Sequence, residues 1–369
     1  MAITGSNSTF VRFQIPEIQT ADLWGFIDEK LKEAAFKDCQ DGQQVANGFA
    51  DFDDPYDSRF ITGTHRKSEY VAFNFRQDQK KIPSSVIKKH VKEQIDKYRE
   101  NHGGKWPARA EKNEIKENII NWLMSKTEPT PSHYQIIWNV PQNSMFIGAT
   151  SGKILDAFLE IFEMYFKIYP QYIFNASWAS QLGLTNNQQD VLNALVNPKS
   201  PSAMFDGKFL GFEFLTWLWY MMDLNLLQQT DFNVMLGEKI TLSIPGNEKE
   251  KVVCTTQANS LNEAYTALKQ GKMVSSLQLF IDKHASTGDN EYLVTIDANL
   301  ATIRGLKTPK QLTQGDDDLD GIFLEKMFLI EESLTCLDKC YKLFLTKRLS
   351  PEWESDVLPA LKEWINGDH

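Results

Sequence analysis

A cationic stretch with two helical periods interrupts strand-like sequence on both sides, and this interruption limits the folds open to the chain. It runs from Arg76 to Lys126, RQDQKKIPSSVIKKHVKEQIDKYRENHGGKWPARAEKNEIKENIINWLMSK. Pro83 and Ser84 suit a helix entrance. Ile87, Val91, Ile95 and Tyr98 recur three or four apart, so they share one face. Lys88, Lys92 and Arg99 share another. Gly103 and Gly104 mark a turn, and Pro107 opens a second helix. Ile115, Ile119 and Leu123 line its inner side, and Arg109, Lys112 and Lys116 an exposed one. The flanking segments read as strand and helix, so the sequence predicts an α+β domain from which this hairpin projects.

The stretch holds 13 Lys and Arg against 7 Asp and Glu, a local charge of +6. The whole chain carries −10, which leaves −16 for the remainder. A cationic hairpin on an acidic body points to a localised polyanion contact. The alternative is a hairpin that is merely solvated, as charge runs on helices commonly are.

A chain of 369 residues is long enough for two or three domains. The pI near 5.2 excludes a general coat of nucleic-acid-binding charge, though not one basic surface. Cys39, Cys254, Cys336 and Cys340 are too scattered for a disulfide framework. They read as core thiols. The opening MAITGSNSTFVRF lacks the layout of a signal peptide. The most apolar run, FLGFEFLTWLWYMM, contains Glu213 and is short for a membrane span. A cytoplasmic protein is expected.

Alternation predicts strands at 8–15, 69–75, Tyr134–Val140 and Ser144–Thr150, with further strand material at Phe36–Cys39 and Gly48–Phe52. Helices are expected at 21–35, capped by Asp22, and at Ser151–Tyr169. Residues 171–205 look irregular, with turns at Asn197-Pro198 and Ser200-Pro201. The helix at Lys208–Leu227 is apolar nearly all round, which predicts burial between layers. Strands at 232–244, 250–257, 272–283 and 290–297 follow, with a helix at 261–270 and turns at Gly246-Asn247 and Thr287–Asn290. Helices at Gly321–Leu345 and Trp353–Ile365 end the chain. The order favours antiparallel or mixed sheets over a doubly wound one. Three units are expected: a central α+β domain of 1–75 with 128–185, an inserted basic helical tip of 76–127, and an α+β base of 186–369 with C-terminal helices, together a horseshoe.

Catalytic signatures are missing from the sequence. None of the six histidines, from His65 to His369, has metal-ligand spacing with Cys, Asp or Glu. No nucleophile elbow, phosphate loop or zinc-protease helix occurs. A metal-dependent nuclease needs clustered carboxylates. The candidates are Asp51, Asp53 and Asp54, and Asp316, Asp317, Asp318 and Asp320, all in loop-like sequence with no basic or His partner nearby. A solvated loop or cap is the expected role. Nothing resembles a recognition helix, so base-sequence readout has no support. The chain is expected not to be an enzyme and to need no cofactor or metal. A protein–protein adaptor with an acidic partner is the remaining alternative.

The run VAFNFRQDQKKIPSSVIKKHVKEQI resembles the recombination-associated RdgC family of bacteria. The likeness continues through the second helix, HYQIIWNVPQNSMFIGAT and SGKILDAFLEIFEMYF, and includes FLGFEFLTWLWY, LKQGKMVSSLQLFID and FLTKRLSPEW. The resemblance implies a DNA-binding protein without base preference. It implies a head-to-head homodimeric ring around double-stranded DNA, restraint of the RecA recombinase, support of replication, and a nucleoid location. Single-stranded DNA is a further possible partner. On this reading Arg76, Lys88, Lys89, Lys92, Arg99, Arg109, Lys112 and Lys116 are expected to contact phosphates, followed by Lys80 and Lys81. Lys272, Lys283 and Arg304 are candidates for the hole. Family members close the ring with a Phe-containing loop after the second helix. The matching stretch here, LMSKTEPTPSHYQ, has no Phe, so Trp122, Met124 and Tyr134 are the expected gate contacts. The dimer is expected to join through strands at 232–244 and 272–283.

Overall fold

The computed structural model describes residues 2–40, 42–61, 63–196, 209–227, 231–255, 261–284, 290–310 and 318–367. The expected turns at Asn197-Pro198 and Ser200-Pro201, most of the turn at Thr287–Asn290, and Asp316, Asp317 and His369 lie outside the described residues.

The first half of the chain follows its period-two pattern. In order come β1 (Ser8–Gln14), α1 (Leu23–Glu33), β2 (Val45–Ala50), β3 (Arg66–Lys67) and β4 (Tyr70–Gln79). Then come α2 (Ser84–Asn101), α3 (Arg109–Lys126), β5 (Thr130–Asn139), β6 (Ser144–Ile147) and α4 (Gly152–Phe166). Tyr70, Ala72, Ile137 and Phe146 point to one core, while Val71, Phe73, Phe75, Ile136, Trp138 and Met145 point to the other. Residues on one strand alternate between faces. Apolar side chains on both faces therefore demand a cover on each side. The second core is covered by α1, through Ile27 and Leu31, and by α4, through Phe158, Phe162 and Phe166. Asp22 caps α1 by accepting from Gly25 N at 3.0 Å, as the sequence predicts.

The second half adds β7 (Gln171–Tyr172), α5 (Asn175–Gln181), α6 (Asn186–Val196), α7 (Phe209–Asp223), β8 (Phe232–Ile244) and β9 (Asn247–Thr255). It continues with α8 (Leu261–Lys269), β10 (Met273–Lys283), β11 (Asn290–Asp297), β12 (Thr302–Lys307) and α9 (Leu319–Arg348). A π-helical turn, Trp353–Val357, leads into α10 (Leu358–Asn366). Every residue of α7 from Leu210 to Tyr220 is buried except Glu213, because α7 packs between β10 and α9. Glu213 is held by Arg348 on α9, with Nε to Oε2 at 2.6 Å.

The strands form one open antiparallel sheet in the order β2-β4-β5-β6-β1-β12-β11-β10-β8-β9, with β3 beside β4 and β7 beside β1. The fold is thus α+β, as expected. Several local expectations need correction. Phe36–Cys39 is not a strand; only a single bridge joins Ala35 to Phe49. Residues Arg76–Gln79 belong to β4 rather than to the hairpin, because they pair with Val45–Gly48 on one side and Thr130–His133 on the other. Residues 171–196 contain two helices where irregular chain was expected. The unforeseen β12 pairs with β1 and joins the two halves of the sheet.

Candidate nucleic-acid interface

The hairpin leaves the sheet between two paired strands. Helices α2 and α3 pack on each other, and their buried residues Ile95, Ile119 and Leu123 belong to neither main core. Gly103 and Gly104, with φ of 61° and 85°, make the turn between them. Glu111 locks the two helices together. Its Oε1 accepts from Tyr98 Oη at 2.8 Å and its Oε2 from Ala108 N at 2.7 Å. The Tyr98 hydroxyl and that backbone N–H hold the Glu111 carboxyl below its ordinary range.

Helical geometry puts the cations on one side. Successive residues turn by about 100°. Lys88, Lys92 and Arg99 each follow an inward residue of α2: Ile87, Val91 and Tyr98. Lys112 and Lys116 each follow an inward residue of α3: Glu111 and Ile115. Both rows are displaced in the same rotational sense, and in an antiparallel pair such rows share one broad side. Among the acids of the two helices only Asp96 holds an equivalent place, and it lies 3.9 Å from Arg99.

Most of these charges are unengaged. Lys81, Lys88, Lys92, Arg109, Lys112 and Lys116 are exposed, and none pairs with a carboxylate among the described residues. Lys97 and Lys105, which were not singled out in the sequence, share that state. Lys89 lies 4.0 Å from Glu93. Lys80 is half-buried and donates to Met124 O at 3.2 Å, tying the hairpin's two feet together. Arg76 stands apart from the group. Its guanidinium forks onto Asp78, Nε to Oδ1 at 2.8 Å and Nη2 to Oδ2 at 2.7 Å, and lies over Phe36. It is a strand residue with two of its guanidinium nitrogens already committed to Asp78. The three cations of the second half also sit elsewhere. Lys283 binds Asp231 at 3.0 Å, Arg304 lies 3.4 Å from Asp297, and Lys272 precedes β10.

The expected gate residues lie on two elements, α3 and β5. Trp122 and Met124 lie in the last turns of α3, at the sheet end of the hairpin. Trp122 packs edge-on to His90 and under Lys126. Tyr134 is on β5, with its ring 6.4 Å from Phe75. The aromatic at the hairpin's far end is Trp106, 68% exposed and covered on one face by the Arg99 guanidinium at 4.2 Å. Its place directly before Pro107, in the turn, was the available sequence signal.

The aspartates show a different arrangement. Asp51 is buried and accepts from Asp53 N, Asp54 N and the Thr64 hydroxyl, which makes it a loop organiser. Asp318 caps α9 through Gly321 N at 2.8 Å. Asp53 and Asp320 do converge, but on Lys67, whose buried Nζ lies 3.0 Å and 2.7 Å from their carboxylates. The basic partner that local sequence did not reveal comes from β3. Among the described residues no group of three or more His, Cys, Asp or Glu could hold a metal ion.

These features define an open antiparallel α+β protein with an inserted, cationic helical hairpin. Residues 10–186, just under half of the chain, match the family model described as "Putative exonuclease, RdgC", and over those residues the chain is similar to that family. The matched span includes the whole hairpin and supports a recombination-related, DNA-associated role. The other segments of likeness, from FLGFEFLTWLWY onward, lie beyond it. No curated protein matches the chain. No helix among the described residues is long and apolar enough to cross a membrane.

Proposed function

We propose that the chain is a non-enzymatic protein that binds duplex DNA without reading base sequence. In this reading it forms a homodimeric ring, restrains RecA-dependent recombination and supports replication from a cytoplasmic, nucleoid-associated location. The observation that carries the proposal is the single-sided row of unpaired cations on a hairpin whose parent chain is acidic. Phosphates present one charge after another along a groove, and such a row meets them without contacting bases. The reversal of these charges, argued below, is the test.

The dimer requires a free strand edge. β10 is flanked by β8 and β11 along its length. β8 meets β9 only from Lys239 onward, so its first half, Phe232–Glu238, has one open side among the described residues. Two copies pairing there would add antiparallel hydrogen bonds across a two-fold axis. Light scattering at micromolar concentration is expected to give a dimer mass. Met235→Lys, on a side chain 49% exposed, is expected to give a monomer with unchanged circular dichroism. A monomeric parent, or a dimer untouched by the lysine, would sink this assignment.

The family description names an exonuclease, which makes a nuclease the second reading. An ammonium already balances Asp53 and Asp320, where a catalytic site would need divalent metal. End-labelled duplex incubated with the protein and magnesium is therefore expected to stay intact. Cleavage that Asp53→Ala or Asp316→Ala abolishes would overturn the non-enzymatic reading.

A further inference from the structure

The far end of the α2–α3 hairpin is a fixed turn that holds out one ring. Gly104 N donates to Arg99 O at 2.7 Å and Lys105 N to His102 O at 3.3 Å, which ties the turn to the end of α2. On the other side Ala108 N donates to Glu111. Trp106 lies between these anchors, and Pro107 after it biases its backbone towards an extended conformation. At 68% exposure it is the most exposed of the nine tryptophans. The Arg99 guanidinium covers one face, 4.2 Å from the ring centroid, and no other ring or cation stacks on it among the described residues. Exposure of this size therefore belongs to the opposite face and the edges. Helix α2 has 18 residues, so the ring stands about 27 Å from the sheet.

The surroundings of the ring narrow what it meets. Lys105, Arg109 and Lys112 are exposed, and none pairs with a carboxylate among the described residues. Its other neighbours in the turn are Gly103, Gly104 and Pro107. A protein hot spot is an aromatic anchor inside a wide surround that excludes water. Trp106 has cations and glycines in that place. A nucleotide fits the arrangement better. Its base offers a flat face to the open side of the ring, whatever the base, and its phosphates meet the cations. Within a duplex the base faces are stacked on one another, so the face must come from an unpaired base.

We propose that Trp106 stacks on an unpaired base, and that the hairpin thereby selects DNA in which a single strand adjoins duplex. The cation row takes phosphates of the duplex, and Trp106 takes a base of the single strand. Arg99 backs the ring and adds a positive charge behind the stack. The fixed turn lowers the ordering cost of the contact. This inference rests on duplex binding by the hairpin, and the experiment separates the two.

Fluorescence anisotropy of the full chain compares a blunt duplex with the same duplex carrying a central gap of about five nucleotides in one strand. The gap removes phosphates, so counterion release alone makes the gapped DNA the weaker ligand. The parent is expected to bind the gapped DNA about tenfold tighter, the effect of one stacked base. Trp106→Ala is expected to reduce that preference to within about twofold, with intact-duplex affinity unchanged, and Trp106→Tyr to keep part of it. Circular dichroism establishes that both variants are folded. A parent without the preference, or a Trp106→Ala variant that keeps it, overturns the inference and leaves duplex binding standing. A preference that depends on Trp106, with no binding of intact duplex, overturns the duplex reading instead. A parent that binds neither DNA overturns both. A Trp106→Ala variant that weakens both DNAs equally and has a lower mass by light scattering makes the ring a contact between copies, which also overturns the inference.

Discussion

Replacing Lys88, Lys92, Arg109 and Lys112 together by Glu is expected to weaken duplex binding roughly a hundred- to a thousandfold near 0.1 M salt. The physical basis is counterion release. Each phosphate neutralised contributes about −0.9 to the slope of log affinity against log salt, so four lost contacts flatten it by up to about 3.6. The loss should be the same for unrelated duplexes, because nothing in the row reads a base edge. Folding should be little affected. The four side chains are exposed, have no carboxylate partner among the described residues, and flank the Glu111 lock without entering it. Exposed charges of this kind contribute little to stability. Fluorescence anisotropy across a salt series gives the slope, and circular dichroism establishes that the variant is folded. A folded variant that binds duplex as tightly as the parent would remove the hairpin from the interface, whatever the family.

Arg348→Ala is expected to destabilise the protein by about 3–5 kcal/mol, the cost of stranding a buried charge. Arg348 and Glu213 have side chains only 12% and 13% exposed, where α9 crosses α7. Burial pushes the Glu213 carboxyl up from its ordinary pKa, and Arg348 opposes that shift. With the guanidinium removed, Glu213 must stay charged without its partner or take up a proton. The pair itself is a different matter, since two well-packed apolar residues can replace a buried ion pair at little cost. Glu213→Leu combined with Arg348→Met is therefore expected to recover most of the loss. Urea unfolding of the single and double variants measures both. A double variant as unstable as Arg348→Ala would show that packing, not the uncompensated charge, sets the effect.

The hairpin was legible because its information is local. Helical spacing, Pro83 with Ser84, and the glycine pair are complete within fifty residues, and α2 begins at Ser84 as the spacing predicts. The same locality explains the errors around it. Arg76 to Gln79 look like the start of a basic run. Their conformation is set instead by partners some thirty residues before and fifty residues after them. Pro131 is of a residue type that local sequence favours in turns, yet it sits in β5 opposite Asp78, before β6 begins to flank that strand at Ile136. A missing N–H is tolerated where a strand lacks a second neighbour. The expectation that Asp53 and Asp320 have no basic partner failed for a related reason. Their chemistry depends on Lys67, which approaches Asp320 across 253 residues of chain.

The pairing of β1 with β12 sets a timetable for folding. Gly305 N donates to the Thr9 hydroxyl across 296 residues, and Phe10 aligns with Ile303. A ribosome adding about 5–20 residues per second needs roughly 15–60 s to deliver the second strand after the first. Through that interval β1 can take β6 on one side and β7 against Phe13 and Gln14 on the other, while the Ser8–Val11 part of that second edge, between two apolar faces, stays open. An unpaired edge of that kind is what other chains add to during aggregation. The nascent protein therefore has its greatest hazard in the middle of synthesis, and the last strand to emerge is the one that closes it.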